Sequence, residues 1–215
     1  MTKAPGNDLH EISLMLLVIE SATAACSAAL LDEAGGLLDE RHEIVGRGHA
    51  ERLVPMIAEL LAGRRPDAIL VDCGPGSFTG LRVGLAAAHG LAIGWTIPLA
   101  GFSATALLAA AAGEAAAVAV ALAGGHGELF VQSYSGDPIA PLDELRSLAP
   151  QAAAAAIAAK LVVGSGAEAL VAARGYGRWM QALPRAADAR LLPASLRSLP
   201  PRPIYGRAPD ARPMN

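Results

Sequence analysis

The stretch VDCGPGSFTGLRVGLAAAHGL, residues 71–91, governs the reading of this chain. Its first residues close an apolar run, a glycine–proline turn follows, and a series rich in Gly, Ala and Leu comes next. Strand, glycine turn and helix in that order is the layout of a phosphate-binding loop. The residues required by the familiar versions are missing. Gly80 is followed by Leu81 and Arg82, so the phosphate-gripping Lys is absent. Gly74 and Gly76 open a G-x-G-x-x-G pattern, but Thr79 holds its third position. Ser77 is flanked by Pro75 and Thr79 where a nucleophile elbow needs glycines. A generic anion site at the helix N-terminus, made of free backbone N–H groups, is what remains.

The same stretch carries a stronger regularity. Gly76, Gly80, Gly84 and Ala88 recur every fourth residue, and Gly90 and Gly94 add a further small pair. From Gly80 onward this spacing lines small residues along one helix face. Glycine inside a helix costs up to about 1 kcal/mol relative to alanine. Close approach of another backbone is the expected compensation. That backbone belongs either to the same lobe or to a second subunit, and the spacing fits both.

Working outward, residues 14–21 read as a buried strand, and 26–32 and 37–45 as two more, separated by the turn EAGG. Three short runs joined by tight turns form an antiparallel meander. Residues 49–63 place Leu53, Ile57, Leu60 and Leu61 at helical spacing, with Gly63 as a stop. Residues 68–73 are a buried strand feeding the opening stretch, 98–102 a short strand, and 103–112 a helix capped by Ser103. A partial echo follows: strands at 117–123 and 128–134 around the turn AGGHG, a helix in APQAAAAAIAA, a strand at 161–164 and a short helix in AEALVAARG. Beyond residue 191 the chain is dense in Pro and Arg and reads as an extended surface segment. The pattern is two related α/β lobes, the second reduced.

Composition bounds the function. The chain has 215 residues, 53% of them hydrophobic but only 4% aromatic, so Ala, Leu and Val fill the core. A net charge of -3 defines no partner, but residues 174–215 hold eight Arg against two Asp. That segment is either a solvated tail or a strip, through Arg197, Arg202, Arg207 and Arg212, that meets RNA or an acidic partner. Cys26 and Cys73 are too few for a disulfide framework or structural zinc and read as buried free thiols. LMLLVIESATAAC has the outline of a signal peptide, but Glu20 interrupts its apolar run. Gly113 and Glu114 break the Ala-rich region before it reaches membrane-spanning length. A cytoplasmic protein without membrane contact is the expectation.

Candidates for chemistry are thin. His42, His49 and His89 have no second ligand at metal spacing, Leu53 standing where an H-x-x-x-H pair needs its second His. The carboxylates occur singly, with no acid/base pair evident.

Taken together, LVIESATAACSAALL, GHAERLVPMIAELL, CGPGSFTGLRVGLAAAHGLAIGWTIPLAGFSA, GELFVQSY and RPIYGRAPDARP resemble the TsaB (YeaZ) family. The glycine block carries most of the specificity. The resemblance implies an actin/Hsp70/sugar-kinase-like α/β fold of two ribonuclease-H-like lobes, the second reduced. On that reading, 1–12 is a leader, 13–103 the first lobe, 104–192 the second and 193–215 a Pro/Arg-rich tail. It implies a role in making threonylcarbamoyladenosine beside the tRNA anticodon, as the non-catalytic partner of the paralogous catalytic subunit TsaD. A TsaE-like ATPase joins that assembly, tRNA is met through the complex, and a homodimer is the alternative assembly. The resemblance also resolves the glycine stripe in favour of an interface built by residues 49–63 and 80–95. The expected contact residues are His49, Leu53, Met56, Ile57, Leu60, Gly80, Gly84, Ala87, Ala88 and Leu91.

The chain departs from that family in places that matter. Glu20-Ser21-Ala22-Thr23 stands where the family usually has Asp-Thr-Ser/Ala-Thr, and Ala123 and Gly125 stand where Asp and Arg are usual. The cleft candidates for nucleotide are therefore only Ser21, Thr23, Gly76 and Ser77, and no cofactor, metal or catalytic residue is expected. The alternatives are a stand-alone ATP-dependent enzyme of the sugar-kinase-like fold or a metallopeptidase-like protein.

Overall fold

Residues 14–206 are described by the computed structural model of the chain. The N-terminal part begins with the meander β1 (Leu16–Glu20), β2 (Ala25–Leu31) and β3 (Leu37–Ile44). Helix α1 (His49–Leu61), β4 (Ala68–Asp72), α2 (Phe78–Trp95) and β5 (Leu99–Phe102) follow. The sheet order is β3-β2-β1-β4-β5, with β1 antiparallel to β2 and parallel to β4. After α3 (Ala104–Ala111) come β6 (Val118–Ala123), β7 (Leu129–Tyr134), β8 (Arg146–Leu148), α4 (Pro150–Ala156), β9 (Leu161–Val163), α5 (Ala167–Arg174) and β10 (Arg178–Met180). The second sheet runs β8-β7-β6-β9-β10, with β6 antiparallel to β7 and parallel to β9. The echo in the sequence is thus a full topological repeat with shorter strands. β8 and β10 are not evident in the sequence because, unlike the equally short but wholly buried and apolar β9, they are half-buried or exposed and carry no apolar run.

Strand alternation sets the layers. Leu17 and Ile19 of β1 point to one face, where they meet Leu53, Met56, Ile57 and Leu60 of α1 and Leu81 and Leu85 of α2. Val18 points to the other face and joins a core shared by α3, the 3-10 turn Ala186–Leu191 and Val118, Val120 and Leu122 of the second sheet. The outer face of the second sheet is closed by α4 and α5 through Ala153, Ile157 and Leu170. Burial of each such Leu, Ile or Val stabilises by about 1.5–3 kcal/mol.

Two boundaries differ from expectation for local reasons. Helix α1 stops at Leu61, because Ala62 already adopts the left-handed conformation (φ 48°) one residue before Gly63. Helix α2 starts two residues before Gly80, because the Ser77 hydroxyl accepts from the Gly80 N–H at 3.3 Å. Ser103 does precede α3, but its hydroxyl pairs with that of Thr105 at 2.8 Å and caps no backbone N–H. Residues 199–204 lie on the first lobe: Leu199 exchanges backbone hydrogen bonds with Gly101, and the Ile204 N–H donates to Cys73 O at 2.7 Å. Both cysteines are buried and free.

Candidate functional site

The glycine stripe is engaged inside the lobe. A Cβ on Gly80 would stand 2.1 Å from Ser21 O, and one on Gly84 2.3 Å from Ser21 Oγ. A Cβ on Gly76 would stand 2.0 Å from Ala22 O. The backbone approached by these glycines is therefore the β1–β2 loop of the same chain. Ser21 itself is buried, and its hydroxyl donates to Gly80 O at 3.0 Å.

This corrects the expected contact list. His49, Leu53, Met56, Ile57, Leu60, Gly80, Gly84 and Ala88 are buried in the lobe and offer no surface to a partner. The His49 Nε2–H donates to Ala25 O at 2.9 Å. Ala87 and Leu91 remain half-buried. The exposed residues of α1 and α2 include the small or apolar Ala50, Val54 and Ala58 from one helix and Ala86, Gly90, Ile93 and Gly94 from the other, together with Glu51, Glu59, Arg82 and His89. Ile93 is 77% exposed and Val54 56%. Nothing lies within 4 Å of a Cβ placed on Gly90 or Gly94. His89, which had no partner in the sequence reading, donates to Pro201 O at 2.9 Å and ties the C-terminal segment to this helix.

Between the lobes lies a cleft of about 930 Å³. Thr23, Gly76 and Ser77 line it, whereas Ser21 sits behind it. The Thr23 hydroxyl accepts from Ala25 N at 3.3 Å, and Ser77 caps α2. The opposite wall is the turn from Ala123 to Glu128, where Ser147 donates to a Glu128 carboxylate oxygen at 2.6 Å. At the mouth, the Arg82 guanidinium stacks 3.6 Å over the Phe78 ring and reaches the Tyr205 hydroxyl at 3.3 Å. Phe78 and Arg82 were not expected at the site, whereas Tyr205 was one of the residues by which the tail could be pinned to its own lobe. Tyr205 is brought there by the returning C-terminal segment, which no local pattern predicts. Arg197 is not available as part of a basic strip, since it donates to the carbonyls of Leu192 and Arg190. Arg207 and Arg212 lie outside the described residues.

An acid pair does exist, contrary to the reading of the carboxylates as single. Glu20 and Asp72 end β1 and β4, which are parallel neighbours in the register Ile19↔Val71. Both side chains are buried and within hydrogen-bonding reach of each other. Burial and the facing carboxyl raise Glu20 well above the carboxylate range, and burial pushes Asp72 up to about 7. Burial likewise pushes the Cys26 thiol to about 11 and Cys73 to about 12, so neither is a ready nucleophile. No group of three or more His, Cys, Asp or Glu that could hold a metal ion occurs among the described residues. No helix among them is long and apolar enough to cross a membrane.

Two lobes of one strand plan, facing each other across a cleft, define a protein of the actin/Hsp70/sugar-kinase-like class. Residues 24–187 match the family model described as TsaD, tRNA N6-adenosine threonylcarbamoyltransferase. The chain is 33% identical over 132 residues to the tRNA threonylcarbamoyladenosine biosynthesis protein TsaB of Escherichia coli, covering 58% of this chain and 56% of that protein. The match thus spans about half the length of that curated relative. An uncharacterized protein of Mycobacterium tuberculosis is 33% identical over 216 residues, covering 93% and 94% of the two chains. The solved structure of YeaZ from Pseudomonas aeruginosa superposes with a TM-score of 0.73 at 28% identity, covering 89% of this chain and 99% of that one. The chain belongs to this family of TsaD-like proteins.

Proposed function

We propose that this chain acts in the biosynthesis of threonylcarbamoyladenosine on tRNA as a non-catalytic subunit that docks a TsaD-like catalytic subunit. The observation that carries the reading is the outward face of α1 and α2, where Val54 and Ile93 are exposed beside the open Gly90 and Gly94. Small residues at a helix surface let a second helix approach closely, and the exposed Ile and Val supply apolar area. Ala123 and Gly125 leave the cleft wall without the Asp and Arg of the related pattern, and the hydroxyls of Thr23 and Ser77 serve local backbone groups. That disposition suits a support rather than a phosphate enzyme. A TsaE-like ATPase and the tRNA would be met through the assembled complex.

The test is co-elution of the purified chain with the TsaD-like protein of the same organism on size exclusion. Ile93→Glu places a charge at the centre of the face without touching the core. Loss of co-elution with unchanged melting temperature is expected. An intact complex with this variant would move the interface elsewhere. ATP turnover by the chain alone would replace the reading with an enzymatic one.

A further inference from the structure

We propose that Glu20 and Asp72 form a single buried proton-binding site, holding one shared proton that clasps the ends of β1 and β4 beneath the N-terminus of α2. The geometry leaves little alternative. Ala22 N–H donates to Glu20 Oε1 at 2.9 Å and Gly74 N–H to Asp72 Oδ1 at 2.8 Å, and the amides of Thr23 and Ala104 add weaker interactions that favour the ionised forms without offsetting burial. The second oxygens, Glu20 Oε2 and Asp72 Oδ2, find no N–H or O–H donor. Were both groups ionised, two negative charges would lie side by side in the buried interior, where like charges are strongly disfavoured. One proton removes a charge and also supplies the missing donor, as in other close carboxyl pairs.

The surroundings provide no cation to take its place. β2 brings the Cys26 thiol, and Cys73 follows Asp72; both stay neutral. From α1 the buried titratable group is His49, engaged by Ala25 O, and the C-terminal segment brings Arg202, whose backbone meets Cys73. The charged or titratable residues of α2, Arg82 and His89, are exposed, and α3 and β5 carry none. The site sits where the β1–β2 loop presses on Gly76, Gly80 and Gly84. Removing the proton therefore loads the joint that seats α2.

The sign follows from linkage. The pair keeps its shared proton after the unfolded carboxyls have lost theirs, so the native state binds one more proton than the unfolded state from the unfolded carboxylate range to about pH 7. Stability is fully present below that range and falls as pH rises through it. Urea unfolding of the full chain between pH 5 and 8 should show a fall in the folding equilibrium constant of roughly a hundredfold, one proton over about two pH units. Glu20→Gln and Asp72→Asn should each flatten this slope and exceed the wild type in stability at pH 8. Subtracting their curves from the wild type removes the contributions of His42 and Asp188, which titrate in all three proteins. If neither variant folds, infrared spectroscopy of the wild type decides, through a protonated-carboxyl band that persists to neutral pH. The proposal is overturned by a wild-type constant that changes less than about threefold, or by variants that keep the slope. Absence of the band, or a slope abolished by magnesium alone with measurable metal binding, overturns it equally.

Discussion

Replacing Gly80 by Ala adds one methyl group to α2 and tests how that helix is seated. In an exposed helix the change would stabilise by up to about 1 kcal/mol. Here the new Cβ would stand 2.1 Å from the carbonyl oxygen of Ser21, roughly an ångström inside ordinary contact, and the obstacle is backbone rather than a flexible side chain. Either α2 or the β1–β2 loop has to move. Overpacking of this kind costs about 1–3 kcal/mol or somewhat more. Displacing the bond from the Ser21 hydroxyl to Gly80 O costs about 1 kcal/mol in addition. With the helix-propensity gain subtracted, the net loss is about 1–3 kcal/mol, a fall in melting temperature of about 2–12 °C for a chain of this size. Gly90→Ala is the control on the same helix. Nothing lies within 4 Å of its added Cβ, so only the propensity gain operates and the melting temperature should rise by about 1–4 °C. Thermal unfolding followed by circular dichroism reads both. A Gly80→Ala protein at or above the wild type would refute the internal seating of the stripe, and a Gly90→Ala protein falling as far would refute the distinction between the two faces.

Further outcomes follow from other parts of the fold. Ile93→Glu is expected to abolish co-elution with the TsaD-like partner while leaving the melting temperature within about 1 °C, since the side chain is 77% exposed. Thr105→Val should destabilise by about 1–3 kcal/mol, because the buried Thr105 hydroxyl joins Ser103, Gln132 and Tyr134, and its loss removes partners within that network. A thiol reagent should label Cys26 and Cys73 only after unfolding in denaturant, both being buried with thiols held protonated; rapid labelling of native protein would contradict their placement.

Much of the fold was legible in local pattern. The apolar run ending at Glu20, the helical spacing of Leu53, Ile57, Leu60 and Leu61, and the strand–turn–helix of residues 71–91 each announce an element through the period of their buried side chains. The duplication was visible only in part, because β8 and β10 are short and carry no buried apolar run, yet they complete the repeat of the first sheet. The glycine stripe was read correctly as a site of close backbone approach. Its partner could not be read, since spacing along a helix specifies a face and not what covers it. The same limit explains the interface residues: Leu53, Met56, Ile57 and Leu60 mark the apolar side of α1, and in this lobe that side is turned toward its own sheet.

The sequence by itself determined which residues are apolar, where backbone must pass closely and which charged groups the cleft wall lacks, because these depend on side-chain identity and local period. Only the tertiary structure decided that Glu20 and Asp72, 52 positions apart, face each other, that Tyr205 closes over Phe78 and Arg82, and that Gly80 meets Ser21. The physical reason is that parallel strand pairing and the return of a chain end join residues through hydrogen bonds and burial between distant segments, and such pairings leave no periodic mark on either segment alone.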